Sequence, residues 1–348
     1  MVSTASTVTN SAKLSSGPSR VARLFERWGV LVAFVLLFAA STALQGGEFA
    51  SIENFRNMLN QNASIGILAV GMTLVIISGG IDLSVGSMLV LAAAFGLTLT
   101  NELIAREWSE GTAVGVGIAA SVISGVLAGS INGVLIVFGR LAPFIATLGG
   151  LVAFRSVALA MADAGEIRSA SSSVFAVLGR GGFPFFGFVN SAGNPITITY
   201  ATVLFLAIAI LAQWFLSRSR YGRQLVAVGA NEVAARYAGV SVASVRLRTY
   251  LIMGAMAGIA GLLQSSRMNS VSTSQLGLGI ELDAIAAVVI GGTSLRGGFG
   301  RVWGTVVGVL ILGMIANMIT ISGISPYWSG AVKGAVIVLA VLVQRSRS

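Results

Sequence analysis

Few side chains in this sequence could carry out chemistry. The 348 residues include no cysteine and no histidine, which excludes disulfides, thiolate chemistry, histidine metal sites and histidine proton relays. A P-loop needs a Gly-Lys pair before Ser or Thr, because its lysine reaches the phosphates from a glycine turn. Neither of the two lysines, Lys13 and Lys333, follows a glycine. We therefore predict no catalytic residue, no metal site and no cofactor on this chain.

Charged residues are also scarce where ion-coupled transport would need them. Proton-coupled carriers place carboxylates or histidines inside the helix bundle, whereas Asp82 and Asp283 lie at the ends of apolar runs. Sodium sites built from carbonyls and hydroxyls stay possible, and no selectivity-filter pattern indicates a channel. Arg155 and Lys333 fall within apolar runs and are candidate functional cations, although the plainer interpretation is that they pair or reach the interface.

Neutral polar residues at membrane level are further candidates for a functional role. Their amides and hydroxyls could line a translocation path for a polar solute, or could equally bond neighbouring helices to one another. The candidates are Asn62, Ser64, Thr73, Asn132, Thr147 and Asn317.

Six arginines lie close together between two apolar runs, in residues 217–250. We call this stretch the arginine-rich segment. Within it, Asn231 is a good helix N-cap, Glu232 suits a positive helix N-terminus, and Gly239 can supply a left-handed C-terminal turn. These residues predict a two-turn helix over 233–238. Such a helix is too short to be stable alone, so it should rest against other elements. A short helix wedged between two spans could pass motion from a soluble partner to the membrane.

The elements that must position these residues follow from composition. The chain is 55% hydrophobic and 10% charged, with a mean hydropathy of +0.89, and a soluble protein would need far more surface charge. We predict an all-α polytopic membrane protein with about ten transmembrane helices. The first apolar run is too long for a signal peptide and should remain. The eighth segment is short enough to be re-entrant or broken. The candidate spans are 28–45, 62–79, 85–100, 112–138, 142–162, 196–216, 249–266, 284–295, 302–320 and 328–344.

Charge placement orients these spans. With the N-terminus inside, 15 Lys and Arg residues face the cytoplasm and five face outward, which is the bias that sets topology. Both termini are then cytoplasmic, and the net charge of +10 needs no nucleic-acid partner. We expect a disordered cytoplasmic segment at 1–27, a transmembrane domain at 28–344 with the cytoplasmic loop at 217–250, and a short cytoplasmic tail at 345–348.

Glycines recur in two patterns. Rows at four-residue spacing allow helices to approach closely, most simply within one subunit rather than at a dimer face; they are Gly125, Gly129 and Gly133, Gly254 and Gly258, and Gly300, Gly304 and Gly308. Two loops also look alike. The first glycine loop, 79–86, and the second glycine loop, 291–298, share Gly-Gly, then Leu and Gly at matching positions. They are either a parallel repeat or a coincidence in a glycine-rich chain.

The sequence resembles the permease subunits of bacterial ABC importers. Residues 234–239 (AARYAG) are similar to the Ala-Ala-x-x-x-Gly core of their coupling loop, and 229–239 resembles the version in ribose, xylose and arabinose importers. Residues 71–86 (GMTLVIISGGIDLSVG) and 291–308 (GGTSLRGGFGRVWGTVVG) are similar to further segments of that family. The likeness runs from about residue 54 to the end of the chain.

The resemblance implies a monosaccharide importer in the bacterial inner membrane. Its implied partners are a cytoplasmic ABC ATPase, a periplasmic sugar-binding protein and a second permease subunit, identical or not. It implies ATPase docking through Gly229, Asn231, Glu232, Ala234, Ala235, Arg236 and Gly239. Val233 departs from the family, which has Glu before Ala-Ala, so Glu232 or Arg236 would have to replace that contact.

Two alternatives stay open from the sequence. An ABC permease of this kind could carry a nucleoside, a branched-chain amino acid or a signalling sugar instead of a monosaccharide. A self-sufficient carrier or channel is the other, and the missing buried carboxylates argue against it.

Overall fold

The chain folds into a bundle of helices with two small two-stranded sheets. The computed structural model describes residues 20–171, 173–189, 193, 195–325, 328, 330–332, 334–335 and 338. Its α-helices are α1 (Arg20–Gln45), α2 (Ile52–Ile77), α3 (Val85–Ala105), α4 (Glu110–Val137), α5 (Pro143–Ala160), α6 (Val174–Arg180), α7 (Tyr200–Arg218), α8 (Arg220–Ala230), α9 (Glu232–Tyr237), α10 (Val242–Met268), α11 (Ile280–Ile290) and α12 (Val302–Ile321). The strands are β1 (Glu166–Arg168), β2 (Gly182–Val189), β3 (Pro195–Thr199) and β4 (Ser270–Ser272).

Seven of these helices are long and apolar enough to cross a membrane, namely α2, α3, α4, α5, α7, α10 and α12. This confirms the all-α polytopic membrane class. The apolar part of α1, Gly29–Gln45, is shorter. Lys333, most of the predicted span 328–344, the tail 345–348 and residues 1–19 of the predicted N-terminal segment lie outside the described residues.

Several predicted boundaries were wrong. Helix α2 begins at Ile52, ten residues before the predicted start, because the Ser51 side chain accepts a hydrogen bond from Asn54 N and caps the helix. Residues 196–199, predicted to begin a span, belong to strand β3 instead. Their Thr and Ile residues suit a strand that pairs with β2.

The arginine-rich segment is more ordered than the sequence indicated. Besides α9 it contains α8, an 11-residue helix that follows α7 directly. One face of α8 is apolar and buried through Leu225 and Val228, whereas Arg220 and Arg223 are exposed. A helix with this pattern lies along a surface rather than across a bilayer.

The core of the bundle depends on close approach of α4 to α10. A Cβ added to Gly125 would meet the backbone of Gly254 and Gly258, and one added to Gly129 would meet Tyr250 and Gly254. Helix α12 approaches α11 in the same way through Gly304 and Gly308. The glycine rows therefore pack helices within one subunit, as predicted.

The eighth predicted span is confirmed as short. Helix α11 has 11 residues, about 17 Å of helix against a hydrocarbon core of roughly 30 Å. The residues at its C-terminal end are buried, including Val288, Val289 and the following Gly291. Protein thus covers the backbone where the helix stops, as a broken membrane segment requires.

Candidate functional site

Helix α9 has the predicted beginning and end. The side chain of Asn231 accepts a hydrogen bond of 2.9 Å from the backbone N of Ala234, so it caps the helix. Gly239 follows with φ +78°, and its backbone N donates to the carbonyl of Arg236. No atom lies within 4 Å of a Cβ placed on Gly239. Glycine is therefore favoured there by its left-handed backbone and not by lack of space.

Glu232 fixes α9 to the start of α10. Its two carboxylate oxygens accept hydrogen bonds from Arg236, at 2.9 Å, and from Arg246, at 2.6 Å. The pair with Arg236 is within α9, whereas the pair with Arg246 joins α9 to α10 across the turn. Both carboxylate oxygens of Glu232 are therefore bonded within the chain. The charged side chain of α9 that is mainly exposed to solvent is that of Arg236.

The outer face of α9 is apolar and aromatic. Tyr237 is 89% exposed and Val233 62% exposed, one turn apart on the same face. Ala234 and Arg236 are exposed beside them, while Ala235 is buried against the bundle. The four exposed residues, Val233, Ala234, Arg236 and Tyr237, are called the docking face below.

The C-terminal end of α8 contacts both glycine loops. A side chain at Gly229 would collide with the carbonyl of Ile77, the last residue of α2, and with the backbone N of Gly298. Gly297, at φ +85°, lies against the carbonyl of Gly229 and the Cα of Gly79. The backbone N of Gly298 also donates a 2.9 Å hydrogen bond to Ile77. A shift of α8 would therefore press directly on the end of α2 and on the loop before α12.

Asp82, in the first glycine loop, is a fully buried carboxylate, so the expectation that the chain has no buried carboxylate was wrong. Its Oδ1 accepts hydrogen bonds from the backbone N and Oγ of Ser84, and that hydroxyl accepts from Asn132 of α4 at 2.7 Å. Its Oδ2 has no hydrogen-bond partner among the described residues. Burial raises the pKa of Asp82 to about 6, although the bonds from Ser84 lower it.

Two of the residues predicted to line a translocation path form hydrogen bonds between helices. Thr73 of α2 and Thr305 of α12 are joined through their hydroxyls at 2.7 Å. Asn317 of α12 and Asn54 of α2 exchange side-chain hydrogen bonds of 2.9 and 3.1 Å. Such bonds stabilise the packing of α2 on α12, as the alternative interpretation of these residues expected.

The other path candidates have different surroundings. Thr147 donates to the carbonyl of Pro143 and Asn62 to that of Met58, both within their own helices at 2.8 Å. Ser64 lines a small cavity of about 50 Å³. A role for these residues in translocation stays a prediction.

A larger cavity lies at the end of α10 away from α9. It has a volume of about 340 Å³, within the usual range for small-ligand sites, and we call it the polar cavity. The side-chain oxygen of Gln264, which lines both this and the smaller cavity, is buried without a hydrogen-bond partner among the described residues. The lining residues are Ile65, Glu166, Gln264, Met268, Ser270, Ser272, Gln275, Leu276, Gly277, Leu278, Ile280 and Asp283.

Arg155 supports the wall of the polar cavity. Its Nη1 donates to the carbonyls of Thr273, at 3.0 Å, and Leu276, at 2.8 Å. The half-buried guanidinium thus ties α5 to the segment that precedes α11. This confirms that Arg155 pairs within the bundle.

The family model described as "Branched-chain amino acid transport system / permease component" matches residues 54–341. The chain belongs to this permease family. It is a multi-pass protein of the inner membrane. None of the solved structures matches it.

Curated relatives of this permease cover nearly all of it. The ribose import permease protein RbsC of Bacillus subtilis (strain 168) is 38% identical over 90% of this chain and 91% of its own length. RbsC of Escherichia coli (strain K12) is 36% identical over 91% of this chain and 93% of its own length. The galactose/methyl galactoside import permease protein MglC of Haemophilus influenzae is 34% identical over 90% of this chain and 92% of its own length.

Sequence reasoning missed two features of this permease. The sequence predicted Tyr237 only as part of a helix, yet it is the most exposed large residue of α9. The sequence signal that could have indicated an exposed apolar face is the aromatic residue one turn after Val233. The cavity residues Gln264 and Gln275 were also missed. Gln264 lies in α10 and Gln275 in the loop before α11, and no periodic pattern in the sequence indicated that a cavity lies between these elements.

Proposed function

We propose that this permease is the membrane-spanning subunit of an ABC importer for a monosaccharide. The observation that carries the proposal is the position of α9. It is a capped, exposed helix between two membrane-length helices, and the helix before it touches the backbone of both glycine loops. The chain has no P-loop, so a separate ATPase must supply the energy.

The docking face is the proposed contact with that ATPase. Val233 and Tyr237 offer an apolar and aromatic patch, and Arg236 adds a positive charge at its edge. Buried aromatic and arginine residues contribute most to protein interfaces. Among the predicted docking residues, Asn231, Glu232 and Gly239 then shape α9, while Ala234 and Arg236 lie at the contact.

Gly229 and Ala235 have a second part in the proposal, which is to transmit motion. Ala235 is buried against the bundle, and Gly229 contacts the end of α2 and the second glycine loop without an intervening side chain. Backbone contacts of this kind cannot relax by rotamer changes. A displacement of α9 and α8 would therefore move α2 and α12, which is the step that alternating access requires.

The monosaccharide cargo rests on the relatives and on the polar cavity. Ribose, galactose and xylose appear in the names of relatives that cover about nine-tenths of this chain. The cavity offers amides, hydroxyls and carboxylates, including Gln264, Gln275 and Asp283, which suit the hydroxyls of a sugar. The proposal includes a periplasmic sugar-binding protein that delivers the cargo and a second permease subunit.

Copurification tests the docking face. The permease is coexpressed with the ATPase and carries either Tyr237→Ala or Arg236→Glu. We expect the retained ATPase to fall by about tenfold or more, because truncating an interface anchor typically costs at least about 2 kcal/mol. Arg106→Glu is the matched control, since Arg106 is equally exposed and pairs with Glu102 at the end of α3. Full copurification and uptake with both docking variants would contradict the proposal.

Uptake by proteoliposomes tests the cargo. The complete complex, with its binding protein, is supplied with labelled ribose, xylose, galactose or leucine. We expect ATP-dependent uptake of a sugar and none of leucine. Leucine as the preferred solute would overturn the monosaccharide assignment. Uptake by the permease alone, without ATPase and binding protein, would instead indicate a self-sufficient carrier.

A further inference from the structure

An apolar groove lies beside the arginine-rich segment, on the side of the bundle formed by α7 and α10. Its volume is about 570 Å³. Leu211, Ile252 and Met256 line its length, and Leu74 of α2 lies against it. At one end, α8 lines the groove through Tyr221 and Leu225, and Arg248 of α10 lies at the same end.

The groove has the dimensions of a lipid chain. It follows α10 from Arg248 to Met256, eight residues and therefore about 12 Å at 1.5 Å per residue. An acyl chain in one leaflet reaches across roughly half of a 30 Å hydrocarbon core, or about 15 Å. The groove is thus long enough for most of one chain, and its lining is almost entirely carbon.

Side chains at the mouth of the groove belong at a membrane interface. Trp214 of α7, whose ring packs against that of the groove residue Phe215, is 56% exposed one turn before the end of its helix. Trp and Tyr concentrate at the level of lipid headgroups. Tyr221 bonds through its hydroxyl to Thr249 at 2.8 Å, which fixes its ring against the groove. The apolar interior therefore begins at the depth where lipid tails begin.

The mouth is also positively charged. Arg248 is exposed and has no ion-pair partner among the described residues, and the same holds for Arg218 and Arg220, which flank the turn between α7 and α8. Glu232 is the acidic residue of this segment, and Arg236 and Arg246 occupy both of its oxygens. Excess positive charge next to a lipid-sized groove complements an anionic headgroup.

We propose that this groove is a binding site for an anionic phospholipid, with one acyl chain between α7 and α10 and the phosphate at Arg248. Bound there, the lipid would fill the space between two membrane-length helices directly next to α8. The permease would then hold an anionic lipid in preference to a zwitterionic one.

The full-length permease, reconstituted in nanodiscs, provides the test. The probes are phosphatidylglycerol and phosphatidylcholine that carry a photoactivatable group on one acyl chain, and mass spectrometry locates the labelled residues. We expect phosphatidylglycerol to label groove residues of α7 and α10 at least about fivefold more than phosphatidylcholine. Arg248→Gln should remove that preference, whereas Arg140→Gln, an equal charge change at an exposed loop, should keep it. The exposed Leu211→Trp should reduce labelling by either lipid, because the larger ring fills the groove.

Three results would overturn the proposal. Equal labelling by the two lipids in the wild-type permease would show that charge is not recognised. Labels outside the groove would show that no lipid chain enters it. Disulfide formation between two copies that carry Leu211→Cys, in a chain that otherwise has no cysteine, would show that the groove is a contact between subunits. The wild-type measurements decide the matter even if a variant folds poorly.

Discussion

The two ends of the bundle are built differently. At the α8–α9 end, Gly229, Gly297 and Gly298 bring backbones into direct contact with the end of α2. At the opposite end, α2, α10 and α11 line a cavity of about 340 Å³, and α2 and α10 line another of about 50 Å³. Gln264 leaves a buried oxygen there without a partner among the described residues. In the proposed function, one end transmits displacement because it is closely packed. The other end suits a polar solute in that proposal, because it is open and has spare hydrogen-bonding capacity.

The largest effect that would test this contrast is expected at Gly229. Gly229→Val places a side chain onto the carbonyl of Ile77 and the backbone N of Gly298. Overpacking against backbone should lower the free energy of unfolding by about 3 kcal/mol, measured by thermal unfolding in detergent. Gly149→Val in α5 is the control, since no atom lies within 4 Å of a Cβ there. Equal stability of the two variants would show that the α8 contact is loose.

A pH effect is expected at Asp82 in the first glycine loop. Its pKa of about 6 in the fold is above the ordinary 3.8, so the folded state binds the proton more tightly than the unfolded state. The free energy of unfolding should therefore rise as pH falls, by about 1.5 kcal/mol between pH 7.5 and pH 5. Asp82→Asn should remove this part of the pH dependence. Identical pH profiles for variant and wild type in thermal unfolding would contradict the burial of this carboxyl.

Smaller effects are expected where α9 joins α10. Glu232→Gln weakens the ion pairs with Arg236 and Arg246, which are partly exposed, so the stability should fall by at most about 1 kcal/mol. Glu102→Gln, which breaks the well-exposed pair with Arg106, should change the stability less. A double-mutant cycle between Glu232 and Arg246 measures the coupling. No coupling in that cycle would mean that the pair does not hold α9 in place.

The smallest effect on stability is expected at the cavity end. Gln264→Leu removes a buried oxygen that lacks a partner among the described residues, so thermal stability should change by less than about 1 kcal/mol. Sugar uptake should nevertheless fall, because the cavity loses an amide. Gln264→Asn keeps the amide and should retain more uptake. A large loss of stability with unchanged uptake would assign Gln264 to the core and not to the cavity.

Local sequence signals predicted α9 well, whereas distant contacts could not be predicted. Asn231 and Gly239 act through their own backbone neighbours, so their roles are readable from a few residues. The boundary of α2 was missed because its first turns contain Asn54 and Arg56, which a hydropathy reading excludes from a span. Helix α8 was missed because its apolar positions are buried by α7 and α10, and charge dominated the sequence there.

The sequence by itself determined the membrane class, the missing P-loop, the caps of α9 and the resemblance to ABC importer permeases. Each of these depends on composition or on residues within one or two turns of each other. Only the tertiary structure decided that the two glycine loops meet at Gly229, that Asp82 is fully buried, and that glutamines and serines from separate elements surround a cavity. The physical reason is that the first two features arise from packing between residues distant in the chain, and the third arises from the way the chain turns between α10 and α11. No local pattern records either.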